Sequence, residues 1–257
     1  MDLDRLVAQQ AIGLLDLTSL NADDTDERIR ALCRRALSPA GAVAAVCVYP
    51  RFVALARQTL DSLGGTQVRV ATVTNFPAGA ADVQGAAEET LAAVLAGADE
   101  VDVVYPYTAL RRGDRQVGRD LVRACKQACG ERALLKVILE TGELAEPELI
   151  RQASLDAIDA GADFIKTSTG KVTVNASEHA ARLMLAAIAE RGGRVGFKPA
   201  GGIRTLADAK TYIQLAGDAL GADWVSAAHL RLGASSLLDE LLTHLGQGAP
   251  GSTAEGY

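Results

Sequence analysis

Five charged residues stand inside short apolar runs that otherwise read as buried strands: Asp16 in LLDLT, Asp102 in EVDVVYP, Lys136 in LLKVILE, Lys166 in DFIKTSTG and Lys198 in VGFKPAGG. An unpaired charge in an apolar interior is expensive, so each needs a partner or a purpose. Lys136, Lys166 and Lys198 follow one another at intervals of 30 and 32 residues. If that interval is one strand plus one crossover helix, the three amines sit on consecutive strands about 4.8 Å apart. Desolvation and a neighbouring cation both disfavour a protonated amine. Bringing a lysine from about 10.4 to near 7 takes on the order of 4 to 5 kcal/mol of differential interaction. A neutral amine at that pH can attack a carbonyl and form a Schiff base, while Asp102 balances the remaining charge and moves protons. One such lysine is ordinarily a solvated rim residue. Three in succession, followed by glycine or small polar residues, point to an amine-based site. Asp16 and Asp102 have a second reading, as structural partners of Arg or Lys side chains.

The segments that follow these lysines suggest where an anionic ligand would rest. Lys166 leads into Thr167-Ser168-Thr169-Gly170-Lys171, and Lys198 into Pro199-Ala200-Gly201-Gly202-Ile203-Arg204. Further on comes Gly233-Ala234-Ser235-Ser236, in which a serine is expected to cap the next helix. Glycine lets backbone N–H groups approach a phosphate closely, and a helix N-terminus favours an anion. Either Gly-Gly or Gly-Lys alone reads as a tight turn. Their recurrence on three successive loops points to one phosphorylated ligand.

The elements that must position these groups are legible as a repeat. Apolar runs begin near Ile12, Val43, Val68, Glu100, Leu134, Ala162, Val195 and Ala222, about every 30 residues, with Ala-, Leu- and Glu-rich helical patterns between them. Eight such units predict an α/β fold, a single-domain (β/α)₈ TIM barrel over residues 1–246, with its site at the carboxyl ends of the strands. An open doubly wound sheet would need a glycine-rich turn after the first strand, and LDLTSLNADDTDERI has none. Gly170-Lys171 is not a nucleotide P-loop, because Val172 follows it. Residues 247–257, ending in Tyr257, read as a flexible tail. At 257 residues, 49% apolar and 23% charged, the chain is neither disordered nor fibrous. A net charge of −6 offers no bulk field for nucleic acid or an anionic membrane. No apolar run approaches the ~20 residues of a membrane span, and MDLDRLVAQQ lacks the features of a secretion signal, so a cytoplasmic protein is expected. Cys33, Cys47, Cys125 and Cys129 contain no C-x-x-C pair, and Cys125 and Cys129 have no neighbouring histidine that would make them metal ligands.

The segments LLDLTSLN, EVDVVYPY, LLKVILETGEL, DFIKTSTGKVTVNA, VGFKPAGGIRT, and GADWV followed by RLGASSLL, resemble those of the 2-deoxyribose-5-phosphate aldolases. The resemblance runs from about Asp16 to Leu245 and resumes at Tyr257. It implies a class I aldolase that reversibly cleaves 2-deoxy-D-ribose 5-phosphate to D-glyceraldehyde 3-phosphate and acetaldehyde, in deoxyribose phosphate catabolism. Lys166 then matches the Schiff-base lysine, Lys198 the neighbour that lowers its pKa, and Asp102 a proton donor and acceptor. Tyr257 matches a terminal tyrosine that folds over the site and assists proton transfer. Asp16, Lys136 and Thr167 match supporting residues of the substrate site. Gly170, Lys171, Gly201, Gly202, Arg204, Gly233, Ser235 and Ser236 fall on the family's phosphate-binding loops. Cys47 matches a thiol near the mouth. No metal or other cofactor is expected, since the iminium is itself the electron sink, and relatives are homodimers or homotetramers. Two other readings share the pattern: a different Schiff-base sugar-phosphate lyase or transaldolase, and a non-catalytic barrel that binds phosphate.

Overall fold

The computed structural model describes residues 3–247. Eight parallel strands follow in chain order: β1 (Leu15–Ser19), β2 (Ala45–Val48), β3 (Arg69–Thr74), β4 (Glu100–Val104), β5 (Leu134–Ile138), β6 (Phe164–Lys166), β7 (Gly196–Lys198) and β8 (Leu232–Ala234). From β2 to β7 each strand pairs with its predecessor, and β8 pairs with β1. Two parallel bridges, Phe197 to Leu230 and Ala200 to Gly233, close the seam between β7 and β8. The expected (β/α)₈ barrel is therefore what forms. The helices are α1 (Leu3–Gly13), α2 (Asp26–Arg35), α3 (Val53–Ser62), α4 (Val83–Leu95), α5 (Tyr107–Arg111), α6 (Gln116–Cys129), α7 (Thr141–Leu144), α8 (Pro147–Asp159), α9 (Glu178–Glu190), α10 (Leu206–Leu220) and α11 (Leu237–His244). None of the described helices is long and apolar enough to cross a membrane.

Because successive side chains on a strand point to opposite faces, each strand divides its residues between two environments. Leu15, Leu17, Val46, Val48, Val70, Val101, Val103, Leu135, Val137, Ile165 and Phe197 all join the large core between sheet and helices. Ala45, Cys47, Ala71 and Val73 form a separate, smaller cluster. These are the alternate residues of β2 and β3, and they fill one side of the barrel interior with small side chains. The alternate residues of β1 and of β4 to β7 include Asp16, Glu100, Asp102, Lys136, Lys166 and Lys198, all buried. One half of the interior is thus apolar and the other half ionic.

The last strand differs from expectation. Ala222–Trp224 forms a 3₁₀ turn, and β8 lies ten residues later, at Leu232–Ala234. Helix α10 runs to Leu220, and Gly221 ends it in a left-handed conformation (φ 98°). Trp224 then packs outside the barrel, where its indole N–H donates to the Gly193 carbonyl at 2.7 Å and its ring stacks on His229. A short hairpin, Leu37–Ser38 with Gly41–Ala42, also precedes β2 and carries no site residue.

Local signals fix the ends of helices near the site. Thr205 caps α10 through a capping box, accepting the Asp208 N–H at 3.1 Å, while Asp208 accepts the N–H groups of Arg204 and Thr205 at 2.9 Å. That box also anchors the end of the Gly201–Arg204 loop. Thr205→Ala should lower stability by about 1 kcal/mol, read as a lower midpoint of urea unfolding with an unchanged slope.

Candidate active site

The ionic half of the barrel is one connected network. Strand register places Lys166 directly beside Lys198, and Asp102 beside Lys136. Lys166 Nζ donates to Asp102 Oδ2 at 2.8 Å, and Lys198 Nζ donates to the same oxygen at 2.7 Å. Lys198 also lies 2.6 Å from Asp16 Oδ2. Lys136 donates to Asp102 Oδ1 at 2.8 Å and lies 2.6 Å from Glu100 Oε2. Arg231, just before β8, joins the remaining ends: it donates to Asp16 Oδ1 at 2.8 Å and to Glu100 Oε1 at 2.7 Å. Gly233 makes room for this arrangement, because a Cβ there would lie 3.1 Å from Lys198 Cε and 2.8 Å from Ala200 Cβ.

Charge balance singles out one amine. The carboxylates of Asp16, Glu100 and Asp102 are matched in number by Lys136, Lys198 and Arg231, each of which contacts at least two of them. Lys166 is a fourth base, and its one carboxylate is shared with the other two lysines. A buried charge without its own counter-ion is the costly one to keep. Burial lowers the Lys166 pKa and the Lys198 charge lowers it further, against the pull of Asp102. For Lys198, burial acts the same way, but Asp102 and Asp16 outweigh it and hold the ammonium above its ordinary range. Lys136 is likewise raised, since Asp102 and Glu100 overcome its burial. Burial would raise Asp102, yet the three lysines hold it well below the usual carboxylate range.

Above this network lies a cavity of about 480 Å³. Lys166 reaches its wall, whereas Lys136, Lys198, Asp16 and Asp102 do not. Lys166 is therefore the amine a ligand can meet. Asp16 and Lys136, expected among the substrate-site residues, lie wholly buried beneath the floor and are consumed by ion pairs. Thr167 is also buried; its hydroxyl accepts the Ala200 N–H at 3.0 Å and ties the loops after β6 and β7 together. Cys47 is fully buried beside the same charges, and burial pushes its thiol up, away from a reactive thiolate.

The three expected loops converge on the cavity, which Gly170, Lys171, Gly201, Gly202, Arg204, Gly233, Ser235 and Ser236 all line. Gly233 belongs to β8 itself rather than to the loop after it. Ser236 occupies the N-cap position of α11 but makes no side-chain capping bond. Lys171 Nζ donates to the Leu20 carbonyl at 2.6 Å, linking the loop to the end of β1. Sequence reading overlooked two more lining residues. The carboxamide N–H₂ of Asn21 donates to Ser19 and Asp24, and that of Asn175 to the Val172 carbonyl. Their oxygens are buried and without a donor among the described residues. Glu100 and Arg231 were overlooked as well. Tyr257 lies outside the described residues. Among the described residues, no group of three or more His, Cys, Asp and Glu is placed to hold a metal ion.

A sequence profile of the DeoC/LacD family aldolases matches residues 10–242. The chain belongs to that aldolase family. A proposed deoxyribose-phosphate aldolase of Coccidioides immitis is 31% identical, with a TM-score of 0.79 over 92% of this chain and 86% of that one. The tetrameric deoxyribose phosphate aldolase of Aeropyrum pernix is 25% identical, with a TM-score of 0.71 over 96% and 99% of the two chains. A Toxoplasma gondii ME49 structure, at 24% identity, shares the fold with a TM-score of 0.87 over 96% of both chains. The aldolase is a carbon–carbon lyase.

The network makes stability asymmetric between its lysines. Lys166→Met should change the unfolding free energy by less than about 1 kcal/mol, whereas Lys198→Met, which takes a cation from both Asp16 and Asp102 and leaves Arg231 on the one and Lys136 and Lys166 on the other, should cost more, about 1 to 3 kcal/mol. Urea unfolding at neutral pH distinguishes the two. The pH dependence follows from the same shifts. Asp16 and Asp102, both lowered, stabilise fully above the ordinary carboxylate value and lose that contribution as pH falls through their folded values. Lys198, raised, stabilises fully below the ordinary lysine value and loses it only as pH rises through its folded value. The contribution of these three groups should therefore be flat from about pH 4 to about pH 10 and fall on either side, while Lys166, lowered, makes stability rise with pH between its folded value and the ordinary lysine value.

Proposed function

We propose that this aldolase reversibly cleaves 2-deoxy-D-ribose 5-phosphate to D-glyceraldehyde 3-phosphate and acetaldehyde through a Schiff base on Lys166. The observation that carries the reading is the position of Lys166: a surplus base in a charge-balanced network, at the wall of a cavity ringed by glycine loops, Lys171 and Arg204. A cavity of about 480 Å³ admits a five-carbon sugar phosphate in its open-chain form. The phosphate rests on backbone N–H groups of the Gly170, Gly201–Gly202 and Ser235–Ser236 segments, with Lys171 and Arg204 nearby.

Neutral Lys166 Nζ attacks C1 of the aldehyde; loss of water gives a neutral imine, which takes one proton from solvent water to become an iminium. That step adds a fourth cation to a network holding three carboxylates, with Asp102 2.8 Å away as its nearest counter-ion. The excess charge is relieved when the C2–C3 electron pair moves into the iminium and forms a neutral enamine, so the site favours cleavage electrostatically. The C3 hydroxyl proton leaves through water to the Asp102–Lys198 pair, and glyceraldehyde 3-phosphate departs. Asp102 is too weak a base to keep that proton, so the pair returns it through water to the enamine carbon. Water then hydrolyses the new iminium, releasing acetaldehyde and regenerating the neutral amine as the proton taken up in the first step returns to solvent. The tail ending in Tyr257, which sequence resemblance assigns to proton transfer, would act at the enamine carbon. Phosphate binding far from C1 supplies orientation. The tetrameric state of the Aeropyrum pernix relative supports a homo-oligomer for this chain.

Borohydride added with acetaldehyde should leave a reduced two-carbon adduct on Lys166 by peptide mass analysis, and none on Lys136 or Lys198. Lys166→Ala should reduce acetaldehyde release from deoxyribose 5-phosphate by on the order of 10³-fold or more. Normal turnover by that variant would reject the mechanism. A barrel that only bound phosphate would show ligand affinity with no acetaldehyde release.

A further inference from the structure

The segment after β5 touches no part of the cavity, yet it holds the loop that does. Glu140 adopts a left-handed backbone (φ 55°, ψ 58°), a conformation that a residue with a side chain keeps only where its surroundings hold it there. Its side chain is fully buried, and both carboxylate oxygens are spent on one residue. Oε1 accepts the Thr169 backbone N–H at 3.1 Å, and Oε2 accepts the Thr169 hydroxyl at 2.6 Å. Thr169 Oγ1 in turn accepts the Lys171 N–H at 3.0 Å. On either side, the Leu139 N–H donates to the Lys166 carbonyl and the Thr141 N–H to the Thr167 carbonyl, each at 2.9 Å. Gly142 presses against the far end of the same loop, where a Cβ would lie 1.9 Å from the Val174 carbonyl oxygen. Residues 139–142 thus brace residues 166–174 from behind, while Thr169, Gly170 and Lys171 face the cavity.

We propose that Glu140 is a positioning residue that fixes the Thr169–Gly170–Lys171 turn in its anion-receiving shape and so sets the preference for phosphorylated over unphosphorylated sugars. The inference rests on reading that turn as part of the phosphate site. A glycine-containing turn free in solvent samples many conformations, and a ligand that must order it loses affinity. Glu140 removes that cost in advance, using a carboxylate that touches neither the ligand nor Lys136 or Lys198. Burial pushes its carboxyl up, as the hydrogen bonds and the Lys166 charge only partly offset the loss of water.

The test compares kcat/KM for 2-deoxyribose 5-phosphate and for 2-deoxyribose in the wild type and in Glu140→Ala, Glu140→Asp and Glu140→Gln. In Glu140→Ala the preference for the phosphorylated sugar should fall about tenfold, mainly through KM. Glu140→Asp, which keeps the charge one methylene short, should lose it similarly and serves if the alanine variant fails to fold. Glu140→Gln should retain most of the preference, because its amide oxygen can accept the Thr169 N–H and its N–H₂ can donate to the hydroxyl. The rate of borohydride-trapped adduct formation with acetaldehyde, which carries no phosphate, should stay within about twofold in every variant. A preference unchanged in the alanine and aspartate variants overturns the proposal, as does an equal loss on both sugars and in adduct formation. A wild-type enzyme with no preference for the phosphate overturns the phosphate reading along with it.

Discussion

Seven ionisable side chains share a small water-poor space inside this barrel, and the number of their charges is the constraint on which the site depends. Three carboxylates can neutralise three cations; the fourth base, Lys166, has only a shared oxygen of Asp102 to meet its charge. Desolvation makes that imbalance costly in a way it would not be at a surface. The unequal pKa directions of three chemically identical lysines follow from this count. Lys136 and Lys198 each meet more than one carboxylate and stay cationic, while Lys166 meets one and is pushed toward neutrality. The arrangement that pushes one amine toward neutrality is thus a property of the whole network rather than of one neighbouring charge.

The barrel supplies what such a network needs. Parallel strands in register bring Lys166 and Lys198 side by side, though 32 residues separate them in the chain. Small residues on β2 and β3 leave space for long side chains from the opposite wall. Outward-facing Val, Leu and Ile lock the strands against the helices and so hold the charges in place. The carboxyl ends of the strands then open into the glycine-containing loops, which line one cavity together with Lys166.

Much of this was legible from residue types and spacing. A charge inside an apolar strand is conspicuous, and a repeat near 30 residues put Lys166 and Lys198 on adjacent strands. The register of Lys136 with Phe164 sets it two residues deeper than Lys166, a detail no spacing reveals. The same reasoning mistook ADWVSA for the last strand. That segment follows a Gly-Ala-Asp turn like the true strands do, whereas the real β8 is three residues long and contains a glycine. Glu100 and Arg231 escaped notice because each stands at the margin of a strand, where a charge usually faces solvent. Their pairing joins positions 131 residues apart. Glu140 escaped for a different reason: its partners are the backbone and hydroxyl of a loop, and nothing in a carboxylate's identity announces that. The family resemblance named the principal residues, but only the ion-pair geometry explains why Lys166, and not its neighbours, would be the nucleophile.

The most direct test is the protonation state of that amine. In protein carrying ¹³C at every lysine Cε, NMR titration follows each ammonium separately, with the Lys166 signal identified by its loss in Lys166→Met. Lys166 should lose its proton below the ordinary lysine value of about 10.4, while Lys136 and Lys198 keep theirs beyond it. A Lys166 that titrates at or above that value, or a Lys198 that gives up its proton first, would contradict the account.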